Sequence, residues 1–358
     1  MSDDAQVINT YTRFTIKKQV LFTTIIFCGL LVVGELSIRI WAHYFRTSYE
    51  HYNRQTGRLE LVPNIQFREK DGHEFRINSR GFVGPEFAEV PEPGTTRIIA
   101  VGDSCTFTLG LWEIAYPTVA ERILINRKSG VKFEYINAGI EGYNSTFALA
   151  RIKEEIFQYK PHMVTIYIGW NDLMKVNPES PSDSAQPSML AEIVNESYLL
   201  KAYNKLIFVN LRPLLFQPKI TPDDADRHAF DQYVPKRYER NLHEIIGELK
   251  GKGIRVMLFT LPTVLESGLT LADLKARGVF FPYYAGTFSV DRLLSLHAAY
   301  NRTIRRVGAQ EQVPVVDLDE EFAKLPRRPL FWDTMHPSEK GNAVIAALVS
   351  ERILSLQN

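Results

Sequence analysis

Apolar positions along this chain follow two patterns, and the change between them divides it. From Gln19 to Gly34 no residue is charged, and beyond Glu35 the apolar character continues through Leu36, Ile38, Ile40, Trp41 and Phe45. After a polar stretch, short apolar runs alternate with longer segments whose apolar residues recur with a helical period. The short runs at 97–102, 132–137, 162–168, 254–260 and 313–317 predict buried strands. The longer segments at 115–128, 146–158, 236–251, 291–307 and 339–356 predict helices. Gly251-Lys252-Gly253 closes one helix, and Ser338 with Glu339 in the first turn opens the last. Alternation of this kind implies an α/β fold, a parallel sheet with helices on both faces. No internal repeat is visible.

The N-terminal run asks for a membrane. Crossing the hydrocarbon takes about 20 residues, within a range of roughly 17–25. The strictly uncharged part is short, but Glu35 and Arg39 are i,i+4 partners and Arg39 can snorkel. Trp41 and Tyr44 suit an interfacial aromatic belt. The pattern predicts a tail over 1–18 and a single transmembrane anchor over 19–45. A cleaved signal peptide is the competing reading, yet no small-x-small cleavage site follows the run. An amphipathic helix packed on the domain fits poorly with so many consecutive apolar residues. Arg13, Lys17 and Lys18 precede the anchor, and Arg39 and Arg46 follow it. The positive-inside rule then puts the tail in the cytoplasm and the rest on the periplasmic or extracellular side.

Residues 46–96 read as a polar connector, with turn chemistry at Asn78-Ser79-Arg80-Gly81 and Pro91-Glu92-Pro93-Gly94. The core is expected over 97–358, with insertions at about 173–235 and 262–290. The first insertion contains a Ser/Pro-rich loop at 178–187, then apolar residues with interspersed lysines at 198–209. That second part leaves the core beside Asn171, and three readings stay open: a roof over the site, a membrane-surface element, or a helix packed on the core. The other insertion carries Phe280, Phe281, Tyr283 and Tyr284, which fit either an acyl or sugar subsite or ordinary packing.

Candidate chemistry sits where strands end. Arg97-Ile98-Ile99-Ala100-Val101-Gly102-Asp103-Ser104 brings a serine hydroxyl to a strand's carboxyl end, the edge at which open α/β sheets bind ligands. Asp333-Thr334-Met335-His336-Pro337 lets one short turn present a carboxylate and an imidazole. A serine hydroxyl becomes a competent nucleophile when a base takes its proton, and a carboxylate-held imidazole is the usual base. In isolation, Gly-Asp-Ser is an ordinary turn tripeptide and Asp-x-x-His a surface or capping pair. Two further segments change that: Asn137-Ala138-Gly139-Ile140-Glu141-Gly142-Tyr143-Asn144-Ser145 and Gly169-Trp170-Asn171-Asp172 each follow an apolar strand. The Gly-x-Ser-x-Gly elbow of α/β-hydrolases is absent, because Thr106 stands where its second glycine belongs.

These four blocks, in this order, resemble the GDSL-type (SGNH) hydrolases over roughly 97–355. The resemblance implies a three-layer, flavodoxin-like sandwich with a five-stranded parallel sheet. It implies Ser104 as nucleophile, His336 as base and Asp333 as the partner of the base. It also implies an oxyanion hole from the backbone N–H of Ser104, the backbone N–H of Gly142 and the side-chain amide of Asn171. Gly139 competes with Gly142 for that role. Cys105-Thr106 follows Ser104 where the family name implies leucine.

Composition adds exclusions. The chain has 358 residues, a net charge of +1 and two cysteines, Cys28 and Cys105. The charge gives no reason to invoke nucleic acid. One cysteine lies in the apolar segment and the other beside Ser104, so a disulfide between them is not expected, and Cys105 reads as packing. No Cys/His cluster suggests a metal, and no cofactor is implied. The expectation is a membrane-anchored serine esterase that forms an acyl-enzyme on Ser104, with envelope O-acetyl sugars or lipid-like esters as substrates. An O-acyltransferase using the same residues is an alternative, as is a non-catalytic carbohydrate-binding or assembly protein on the same fold.

Overall fold

The computed structural model describes residues 16–45, 49–53, 55–128, 130–174, 176, 197–204, 206, 224–279 and 289–356. They divide into two compact units, 1–48 with 185–217, and 49–184 with 218–358.

In the first unit the helix Ile16–Phe45 exposes apolar side chains such as Val20, Ile25, Phe27, Leu30 and Val33. Its Lys18–Trp41 stretch is long and apolar enough to cross a membrane, a test that a signal sequence also passes. The expected i,i+4 pair forms, with Arg39 Nε donating to Glu35 Oε1 at 2.7 Å. The short helix Tyr198–Asn204 packs on this one. Glu35 Oε2 accepts from the Ser197 hydroxyl and from the Leu199 N–H, both at 2.8 Å, so a carboxylate of the N-terminal helix caps the start of the short helix. The Ser/Pro-rich loop at 178–187, most of 205–209, and Phe280, Phe281, Tyr283 and Tyr284 lie outside the described residues.

The second unit is built on a five-stranded sheet. Its strands are preceded by two hairpins, β1 (Glu50–Asn53) with β2 (Arg58–Leu61), and β3 (Ile65–Arg68) with β4 (Glu74–Ile77). The sheet comprises β5 (Thr95–Gly102), β6 (Lys132–Gly139), β7 (Met163–Tyr167), β8 (Arg255–Phe259) and β9 (Val315–Val316), all parallel, in spatial order β6-β5-β7-β8-β9. All five expected strands are present. The last is shortened: Pro314 lacks an N–H for the ladder and Gln312 has φ of 52°, so pairing with β8 begins at Val315. Helices Tyr116–Arg127 and Glu339–Ser355 pack together, and so do Ser145–Glu154, Lys236–Gly251 and Val290–Gln310. These two helical layers enclose the sheet. Its strands are accordingly buried on both faces and rich in Ile, Val, Ala and Met. The helix expected over 146–158 breaks at Glu155 and continues as a 3₁₀ turn, Ile156–Tyr159, that ends on left-handed Lys160.

The chain runs from β5 outward to β6, then returns across β5 to β7. That reversal puts the switch point of the sheet, the place where open α/β sheets form their binding crevice, at the carboxyl end of β5, where Ser104 stands. Residues 49–94 turn out to carry core. Leu61, Phe75, Ile77, Phe82 and Val83 are buried, and Val83 N–H donates to Asn137 O at 3.1 Å, covering part of edge strand β6.

Candidate active site

Local backbone chemistry aims Ser104. Strand β5 ends at Gly102, and Asp103 caps the one-turn helix Ser104–Phe107 by accepting the Cys105 N–H at 2.9 Å on Oδ1. Glycine is required at 102: a Cβ there would stand 2.0 Å from Thr106 Oγ1 and 2.6 Å from the Tyr167 carbonyl. Ser104 is the first residue of the turn, so its N–H has no intrahelical acceptor.

His336, the residue expected to act as the base, comes from the other end of the chain. Asp333 Oδ1 accepts the N–H groups of Met335 and His336, each at 2.9 Å, which folds the Asp-x-x-His segment into one turn. Asp333 Oδ2 then lies 2.6 Å from His336 Nδ1, and His336 Nε2 lies 2.8 Å from Ser104 Oγ. Helix Glu339–Ser355 follows at once, its start fixed by the Ser338 hydroxyl accepting from Gly341 N–H at 3.2 Å. The structure thus joins Ser104, His336 and Asp333 in one hydrogen-bonded line. Imidazole and carboxylate are both half-buried.

Electrostatics favour a basic imidazole. Burial alone would lower the His336 pKa, but the Asp333 hydrogen bond and charge, reinforced by Asp103 and Glu141, raise it above the ordinary value. Burial would raise Asp333; its bonds to His336 outweigh that and hold the carboxyl below the usual range. Asp103 is fully buried, and desolvation lifts its pKa from 3.8 to about 6, against the backbone hydrogen bond from Cys105. Cys105 is buried with a thiol pushed well up by burial and contacts the Met335 carbonyl at 3.5 Å, so it packs, as expected.

The two remaining blocks meet over the same crevice. Gly139 and Gly142 separate by geometry. A Cβ on Gly139 would come within 2.3 Å of the Phe107 backbone nitrogen, so this glycine lets β6 lie against the serine-bearing turn. Gly142 has φ of +75°, and a Cβ there would meet only Leu59 Cδ1, at 3.7 Å. Among the described residues, the N–H groups of Ser104 and Gly142 reach no protein acceptor. Asn171 follows β7 through Gly169, whose φ of +145° and contacts with Leu261 and Tyr238 exclude a side chain. One N–H of the Asn171 amide donates to the Tyr143 carbonyl at 2.8 Å, leaving the second available. Buried Asp172 ties the blocks together by accepting the Ser145 N–H at 2.8 Å and the Ser145 hydroxyl at 2.6 Å.

Sequence reading did not single out Asp172, Tyr49 or Leu59. Tyr49 Oη donates to Glu141 Oε2 at 2.7 Å, and Tyr143 Oη donates to the Leu59 carbonyl at 2.8 Å, so the first hairpin braces the Gly142 turn. The only sequence signal for Asp172 was its place beside Asn171.

The model of the GDSL-like lipase/acylhydrolase family matches residues 100–344, and the chain belongs to that family. It is therefore an enzyme that hydrolyses ester bonds. Among solved structures, the chain is similar to a GDSL-like lipase from Bacteroides thetaiotaomicron, at 16% identity over 75% of this chain and 93% of that one, with a TM-score of 0.43. A lipase/acylhydrolase from Enterococcus faecalis matches at 20% identity over 72% and 94% of the two chains, with a TM-score of 0.42. A variant acetyl xylan esterase from Geobacillus stearothermophilus matches at 16% identity over 74% and 97%, with a TM-score of 0.43. No curated protein sequence matches the chain.

Proposed function

We propose that this member of the GDSL-like lipase/acylhydrolase family is a membrane-anchored serine esterase that works through an acyl-enzyme on Ser104. The observation that carries the reading is the unbroken line from Ser104 Oγ through His336 to Asp333, with separations of 2.8 and 2.6 Å.

His336 Nε2 takes the Ser104 proton as Oγ attacks the ester carbonyl carbon. Asp333, accepting from Nδ1, holds the tautomer and stabilises the imidazolium. The carbonyl oxygen becomes an oxyanion that receives the N–H of Ser104, the N–H of Gly142 and the remaining N–H of Asn171. His336 passes the proton to the departing alkoxide, leaving Ser104 acylated and an alcohol free. Water then enters, His336 removes its proton, and the second tetrahedral adduct collapses to carboxylic acid and free serine.

The helix through Lys18–Trp41 is the proposed anchor, with the N-terminal tail cytoplasmic and the second unit on the periplasmic or extracellular side. O-acetyl groups on envelope sugars, or lipid-like esters, are the proposed substrates. The test is hydrolysis of short and long p-nitrophenyl esters by the full chain in detergent, beside Ser104→Ala. Turnover lost in the variant supports the serine esterase, and retained turnover overturns it. A reporter fused after Asn358 that is active only in the cytoplasm overturns the topology.

A further inference from the structure

One carboxylate beside the site has no part in the esterase steps. Glu141 directly precedes Gly142, so its side chain leaves the same turn as the N–H proposed for the oxyanion hole. Its Oε2 is held by Tyr49 Oη at 2.7 Å. Tyr49 itself is fixed: its ring stacks on Phe107 of the serine-bearing turn, with centroids 5.6 Å apart, and leans on Phe75 at 5.3 Å. Among the described residues no protein donor reaches Glu141 Oε1. Glu141 is only half-buried. A carboxylate with one oxygen clamped and the other open is preorganised to accept a hydrogen bond from something outside the protein.

The surroundings narrow what that something is. The charges that raise His336 are Asp333, Asp103 and Glu141, all carboxylates. The carboxylate clamped by Tyr49 accepts only, so it repels an anionic group and favours a neutral hydroxyl or a cationic amine near the ester. An acetyl group carries no donor, so for acetyl esters the donor belongs to the alcohol half. Leu59, above Gly142, supplies an apolar neighbour on the same side.

Building on the serine esterase reading, we infer that Glu141, clamped by Tyr49, is a specificity residue that accepts a hydrogen bond from a hydroxyl on the alcohol half of the substrate. The preferred esters are then acylated polyols or sugars bearing a free hydroxyl close to the ester, and phosphorylated or otherwise anionic esters are poor substrates. A donor amine offers the same chemistry and is distinguished in the test.

The test compares kcat/KM of the full chain on four acetate esters: ethyl acetate, glyceryl monoacetate, acetylcholine's primary-amine analogue O-acetylethanolamine, and glyceryl monoacetate phosphate. Rates are normalised to sites titrated with a fluorophosphonate, so misfolded protein does not count. Glu141→Gln still accepts from Tyr49 but presents an amide N–H where the open oxygen was. The expected result is a fall of roughly 10- to 100-fold in the ratio of glyceryl monoacetate to ethyl acetate, the usual consequence of losing a hydrogen bond to a charged group. The penalty on the phosphorylated ester relaxes in the same variant. Tyr49→Phe keeps the charge and lowers the ratio less. A mere structural latch lowers both esters together and leaves the ratio within twofold in both variants, which overturns the inference. A preference for the amine over the hydroxyl ester in wild type overturns the polyol assignment. No turnover of any ester, with no titratable site, overturns the esterase reading and this inference with it.

Discussion

His336 Nε2 lies 2.8 Å from Ser104 Oγ although 232 positions separate the two residues in sequence. Parallel topology makes that contact possible, because every strand of the sheet delivers its following loop to the same edge. Asp103 on one side and Asp333 on the other hold these two loops, and each carboxylate has a measurable consequence.

Asp333→Asn removes the group that keeps His336 basic. A general base works only when neutral, so activity rises with pH as His336 loses its proton. Because its folded pKa is raised, the acid limb of kcat/KM in the wild type lies above that of an ordinary imidazole near 6.5. The variant is expected to lose roughly 10²- to 10⁴-fold in kcat, and its remaining acid limb moves to lower pH. A pH–rate profile of both proteins checks the direction.

Asn171→Ala deletes one of the proposed oxyanion donors. The expected loss is about 10²- to 10³-fold in kcat with little change in KM, since the interaction forms in the transition state. Steady-state kinetics on p-nitrophenyl acetate measure it.

Gly139→Ala and Gly142→Ala fail in different ways. At 139 the new Cβ meets the Phe107 backbone nitrogen at 2.3 Å, and the neighbour cannot yield without shifting the serine-bearing turn. That variant loses stability, by roughly 1–3 kcal/mol or more. At 142 the space is open but the φ of +75° strains any L-residue by about 1–2 kcal/mol. That variant folds and loses catalysis as its N–H turns away. Denaturant unfolding together with active-site titration separates the two.

Asp103→Asn relieves a buried charge. The Asp103 pKa is raised by burial from 3.8 to about 6, so the folded state holds its proton more tightly than the unfolded state. Stability from this group is full below pH 3.8 and is lost as pH rises to about 6. Above that, the wild type carries a penalty on the order of 2–3 kcal/mol that asparagine, still able to cap the Cys105 N–H, avoids. The stability gain of the variant over wild type is therefore larger at pH 8 than at pH 4, as urea titrations at the two values would show.

The blocks around Ser104, Gly142 and Asn171 were legible in the sequence because each couples a strand-length apolar run to a polar turn, and that around His336 because Asp333 and His336 stand three positions apart; both are local signals. All five strands and the single apolar N-terminal helix follow from the same periodicities. The hairpins at 50–77 were not legible. Their strands are four residues each and mix Arg58, Glu60, Gln66 and Arg76 with apolar neighbours, so no period rises above the turn residues. The Tyr49–Glu141 contact spans 92 positions and leaves no mark on either local sequence. Gly139 and Gly142 look equivalent in sequence; only φ and the approach of the Phe107 backbone tell them apart.

The central claim is that Ser104 is the nucleophile, and a fluorophosphonate that phosphonylates activated serines tests it most directly. Intact mass followed by peptide mapping of the labelled full chain should show one adduct, on Ser104, absent in Ser104→Ala and strongly slowed in His336→Ala. An adduct that persists in Ser104→Ala, or no adduct on protein that turns over esters, would contradict the account.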